Sequence, residues 1–102
     1  MNNRQHLLVC LAEECAEAQQ AVSKALRFGL QDGYPGTTRT TCGDIACEIN
    51  HLLAVVEMLQ DAGALLHNNI PNRSCIENKK IKVQKFMEYA KNHGTLDIKE
   101  SK

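Results

Sequence analysis

One hundred and two residues suffice for one modest domain, and a hydrophobic share of 43% beside 24% charged residues excludes a disordered chain. Twelve Lys and Arg balance twelve Asp and Glu, which removes the broad electrostatic drive of a general nucleic-acid binder, so no nucleic-acid partner is expected. Tryptophan is absent and aromatics make up 4%, leaving Leu, Ile, Val, Ala and Met to build the core. The apolar run Leu7–Ala12 is halted by Glu13 and Glu14, too soon for a signal peptide, and no stretch approaches the ~20 apolar residues of a membrane span. A cytoplasmic protein without a membrane partner is the expectation. Five cysteines, an odd number without a CxxC pair, read as reduced intracellular thiols acting as small hydrophobes.

From Leu7 to Leu26 the apolar residues Leu7, Leu8, Leu11, Cys15, Ala18, Val22 and Leu26 recur at spacings of three and four, the helical period. Gly29 supplies the stop. Residues 29–40 hold three glycines, a proline and three threonines, hence a long loop, serving as a functional lid or a mobile spacer. A second helix is expected from Thr41, with its hydroxyl as cap and Asp44 in the first turn, to about Asp61, with Gly63 beyond. Its stripe is Ile45, Ile49, Leu52, Val56 and Leu59, but Leu53, Ala54, Val55 and Met58 carry apolar surface round most of the circumference. In the third helix Ser74 and Glu77 match a capping box. Ile76, Val83, Phe86, Met87 and Ala90 form its stripe, and Gly94 closes it. Residues 1–94 thus form the domain, and 95–102 a polar, frayed tail.

Three helices, the middle one apolar nearly all round, do not satisfy one another in so small a monomer. A helical bundle completed by a homodimer or homotetramer is expected.

The chemistry sits in the acids. Glu14 and Glu17 lie three residues apart on the first helix, about 60° apart on the wheel and one turn along the axis. Glu14 falls at the edge of the apolar stripe, Glu17 farther round, and Glu13 points away. On the second helix Asp44, Glu48 and His51 follow at spacings of four and three. Two helices, each bearing an i,i+3 pair of metal-capable groups, can converge on one divalent cation held by Glu14, Glu17, Glu48 and His51, and oxygen-rich coordination suits Mg²⁺ or Mn²⁺. The competing interpretation is a solvated acidic helix face.

Glu13-Glu14-Cys15-Ala16-Glu17 and Glu48-Ile49-Asn50-His51-Leu52-Leu53-Ala54-Val55 together resemble the E-E-x-x-E and E-x-x-D signature of MazG-like nucleotide pyrophosphohydrolases. Those belong to the all-α NTP pyrophosphatase superfamily, whose small members are often phage-borne, which would place this chain in a host cytoplasm. Lys24-Ala25-Leu26-Arg27-Phe28-Gly29 also looks like the end of their first helix, and the similarity spans about residues 5–95. One position departs: His51 stands where the family pattern has aspartate, which favours Mn²⁺, Co²⁺ or Zn²⁺ over Mg²⁺. Asp44, one turn earlier, could make good the missing carboxylate or serve only the helix amino terminus.

The resemblance implies hydrolysis of a nucleoside triphosphate between the α and β phosphates, giving a monophosphate and pyrophosphate. It implies metal ligands Glu14, Glu17, Glu48 and His51, and catalytic roles for Glu13, which would orient water, and Glu14. Lys24, Arg27 and Asp44 are the candidate substrate-binding residues, although Lys24 and Arg27 equally suit the cation-favouring carboxyl end of a helix. Phe28 or Tyr34 could stack on a base. No Gly-rich Walker loop is present. Lys79, Lys80, Lys82 and Lys85 read as a solvated face, and His6, His67 and His93 carry no assigned role. Two other functions stay open: a nucleotide-sequestering relative weakened in turnover by His51, and a non-enzymatic helical oligomerisation module.

Overall fold

The computed structural model describes residues 1–97 and contains three long helices: α1 (Asn3–Phe28), α2 (Thr41–Asp61) and α3 (Arg73–Asn92), with a short 3₁₀ turn at His67–Asn69. Among the described residues there is no strand, only an isolated bridge between Gly33 and Thr40. The fold is all-α. The chain divides into two compact units, Met1–Leu66 and His67–Lys102.

In the first unit α1 and α2 form an antiparallel hairpin. Arg4 at the start of α1 donates from Nε to the carbonyl of Ala62 just past α2, at 2.9 Å. At the other end Thr41 donates through Oγ1 to the Gly29 carbonyl. α1 begins four residues before the apolar period does, because Asn2 and Gln5 form a reciprocal capping box. Gly29, Gly63 and Gly94 follow the three helices with positive φ, as their stop signals require.

Two caps differ from the expectation. Thr40, not Thr41, caps α2, accepting from the Gly43 amide, and Thr41 turns inward, 2% exposed, to bind Gly29. Asn72, not Ser74, caps α3 by accepting from the Cys75 amide. Glu77 pairs instead with Arg73 and Lys80 along the helix surface.

The seam of α1 also differs. Leu7, Leu11, Glu14, Ala18, Ala21 and Ala25, at alternating spacings of four and three, are its half-buried or buried residues together with Cys10. Leu8, Cys15, Val22 and Leu26, expected in the core, are exposed. Small residues let two helix backbones approach, so the alanines took the seam and the larger side chains were left outside. The α2 seam runs through Thr41, Ile45, Glu48, Leu52, Val56 and Leu59, of which Leu59 is fully buried. Ile49, expected in the core stripe, is exposed, as are Leu53 and Met58, because the single α1 neighbour covers only one side of a helix apolar nearly all round.

In the second unit, α3 has no buried residue. Ile76 and Ala90 of its stripe are half-buried, while Val83, Phe86 and Met87 are exposed. Residues 95–97 do not simply fray: Thr95 and Leu96 turn back so that both amides reach the Ala90 carbonyl. The rest of the expected tail, residues 98–102, lies outside the described residues.

Thr41→Val keeps the side-chain volume but removes the hydroxyl donor from the Gly29 carbonyl, which retains the Asp32 amide. It is expected to cost about 0.5–1.5 kcal/mol, measured by urea unfolding; an unchanged midpoint would show that the Thr41 hydroxyl does not lock the loop.

Candidate metal centre

The two seams each carry one acid at mid-length. Glu14 on α1 and Glu48 on α2 occupy positions where Leu or Ala would otherwise sit, and the antiparallel register sets them opposite each other. One turn beyond Glu48, His51 projects beside them. Ligand-capable atoms of Glu14, Glu48 and His51 all lie within 4.8 Å of one another, so one small cation could reach all three. Exposed acidic groups also gather without any ion, so the geometry permits a metal and does not require one.

His51 uses its two nitrogens differently. Nδ1 lies 3.4 Å from Glu48 Oε2 and 4.0 Å from Glu14 Oε2, while Nε2 lies 3.5 Å from the Cys47 sulfur. The imidazole is held between the carboxylates and a thiol on its own helix. Glu14 Oε2 is shielded from solvent and has no hydrogen-bond partner, although the Glu14 side chain as a whole keeps 26% of its surface exposed. A carboxylate oxygen in that condition is costly unless a cation approaches it.

The remaining candidates are placed differently. Glu17 is exposed and does not join the Glu14–Glu48–His51 group; Glu13 is exposed too. Arg27, in the last turn of α1, lays its guanidinium over the Phe28 ring at 4.8 Å. The exposed Phe28 is therefore covered by its neighbour on one face.

Asp44 belongs to a small network in the loop. Tyr34 donates its hydroxyl to Asp44 Oδ2 at 2.8 Å, and Arg39 Nη2 reaches both carboxylate oxygens at 3.3 Å. The Arg39 guanidinium also lies over the Tyr34 ring, 4.4 Å from its centre. The loop that presents these side chains is ordered by the Gly33–Thr40 bridge and by amide bonds from Thr41 to Asp32 and from Cys42 to Leu30. It is a structured element rather than a spacer. The Tyr34 hydroxyl, then the Arg39 and Lys24 charges, hold the Asp44 carboxyl below its ordinary range, and the same hydrogen bond raises the Tyr34 phenol. Sequence reasoning missed Arg39 and the Cys47 contact. Arg39 lies outside every helix, where no periodicity could have singled it out.

No family model, curated protein or solved structure matches this chain.

Because Asp44 is depressed, its contribution to stability is present above the ordinary carboxylate value of about 3.9 and is lost as pH falls through the lower folded value. The raised Tyr34 contributes below its ordinary value of about 10 and loses that as pH rises through its folded value. Asp44→Asn is therefore expected to be less stable than the parent at neutral pH but to lose less on acidification toward pH ~3. Thermal unfolding followed by circular dichroism reads this, and parallel pH profiles for the two proteins would show that Asp44 is not held as an ion.

Proposed function

We propose that this protein is a metal-dependent nucleoside triphosphate pyrophosphohydrolase of the MazG-like, all-α NTP pyrophosphatase type, converting a (d)NTP to a (d)NMP and pyrophosphate. The observation that carries the reading is the meeting of Glu14 from one helix with Glu48 and His51 from another, where a shielded Glu14 oxygen lacks a hydrogen-bond partner. It joins the acidic motifs that resemble that family.

Two carboxylates and an imidazole suit a divalent cation, with Mn²⁺ favoured over Mg²⁺ by the nitrogen donor. Glu14, Glu48 and His51 would hold it, and Glu17 would have to swing inward to take part. Bound there, the cation would neutralise phosphate oxygens and favour deprotonation of an attacking water. The chain's own groups do the rest. Glu48 and Cys47 contact the two nitrogens of the His51 ring and orient it. Lys24, close enough to Asp44 to influence its charge, offers a cation for the phosphate chain. Glu13 is exposed on α1 and would orient water only if a second copy of the chain covered it.

That covering is part of the proposal. Leu8, Val22 and Leu26 on α1 and Ile49, Leu53 and Met58 on α2 are exposed, Leu26 by 83%. A two-helix seam cannot bury both sides of helices so apolar, and a homodimer or homotetramer would. One feature favours a second reading, a non-enzymatic helical module: His51 can itself serve as counter-ion to Glu14 and Glu48, making the trio a structural ion cluster.

The test is to incubate the protein with each NTP and dNTP plus Mg²⁺ or Mn²⁺, assay pyrophosphate, and weigh the particle by sedimentation. Metal-dependent release is expected from an assembly of two or four chains. Glu14→Gln should reduce it by orders of magnitude while keeping helicity, and His51→Asp should shift the preference toward Mg²⁺. No release with any nucleotide or metal, or equal release from Glu14→Gln, contradicts the hydrolase; a fully helical monomer contradicts the assembly.

A further inference from the structure

Residues 1–66 contain four basic side chains, Arg4, Lys24, Arg27 and Arg39, against eight acidic ones. This unit should repel anions, and its few cations are informative for that reason. Arg4 is committed to the Ala62 carbonyl and Arg27 lies over Phe28. The other two, Arg39 from the loop and Lys24 from α1, both act on Asp44.

The three groups around Asp44 do not hold it equally. The Tyr34 hydroxyl makes a normal 2.8 Å bond, whereas both Arg39 contacts are 3.3 Å, longer than the ~2.7–2.9 Å of a tight charge-assisted bond. The Arg39 side chain is also 63% exposed. Its guanidinium is thus oriented by the Tyr34 ring but only loosely satisfied by the carboxylate. A planar fork, held by an aromatic face and open to solvent, suits bidentate capture of a phosphate. Asp44 lies one helical turn, about 6 Å along the axis, before Glu48 of the candidate metal centre.

We infer that Arg39 is a binding site for a condensed phosphate group, and that Asp44 occupies it as an internal stand-in which the ligand displaces. The ligand class rests on the reading given under Proposed function; the site itself rests on the Tyr34–Arg39–Asp44 geometry. Tyr34 keeps the guanidinium pointed outward while the exchange occurs, and the displaced Asp44 retains the Tyr34 hydroxyl. The loop is then a recognition element rather than a connector.

Calorimetric titration with inorganic pyrophosphate, in chelator so that no cation contributes, tests this. The wild-type protein is expected to bind, Arg39→Gln to bind at least tenfold more weakly, and Arg39→Lys to fall between, since it keeps charge but loses the fork. Asp44→Asn is expected to bind several-fold more tightly, because the competitor has lost its charge. A purely structural ion pair predicts the opposite sign for Asp44→Asn. ATP should show the same Arg39 dependence if the phosphate belongs to a nucleotide, whereas Arg39-dependent binding of pyrophosphate alone identifies a free condensed phosphate. Absence of pyrophosphate binding, Arg39→Gln within twofold of wild type, or weakening by Asp44→Asn overturns the proposal, with circular dichroism confirming that each variant is folded. Because no metal is present, an Arg39-dependent heat without hydrolysis in the assay above counts against the hydrolase alone. Hydrolysis without that heat counts against the phosphate grip alone.

Discussion

Two carboxylates stand in the seam of a two-helix hairpin, where each displaces an apolar residue and loses part of its hydration. Glu14 and Glu48 are brought together by the same alternation of four and three that aligns Leu7, Leu11, Ala18, Ala21 and Ala25 against Ile45, Leu52, Val56 and Leu59. Packing and charge are therefore in opposition at one place. Helix pairing gains from apolar burial on either side of the acids, while the acids themselves repel. His51 lies beside both carboxylates and, when protonated, offsets part of that repulsion; Glu14 Oε2 has no hydrogen bond. A divalent cation would relieve more of it, and would couple folding of the hairpin to its binding.

Much of this arrangement is readable from the amino-acid sequence, for identifiable reasons. Gly29, Gly63 and Gly94 mark the helix ends because a chain leaving a helix commonly turns through positive φ, which glycine adopts without strain. Glu14, Glu48 and His51 are readable because spacings of three and four put side chains on one face. The phase of the α1 seam is not readable in the same way. Apolar residues lie on both sides of that helix, and periodicity gives most weight to Leu8, Val22 and Leu26, whereas close approach selected the alanines. Glu17 illustrates the same limit: an E-x-x-E spacing fixes an angle on one helix but says nothing about where the second helix lies.

The caps and the loop depend on finer chemistry still. Thr40 and Thr41 are identical side chains, and one caps α2 while the other is buried against Gly29. Local sequence gives no means of choosing between them. Arg39 and Tyr34 acquire meaning only once the loop closes over Asp44. The zero net charge likewise conceals a division, since residues 1–66 carry an excess of acids and residues 67–102 an equal excess of bases. The acidic excess belongs to the hairpin that carries the candidate metal centre, where an incoming cation is favoured and an anion would be repelled unless a local positive charge offset it.

The most direct test of the account is a crystal soaked in Mn²⁺ with data collected for anomalous scattering. A single peak per chain, within coordination distance of Glu14, Glu48 and the His51 Nδ1 atom, is the result predicted. Full occupancy elsewhere on the protein, or none between these side chains at saturating Mn²⁺, would show that the seam acids are an ion cluster closed by His51 and not a metal centre.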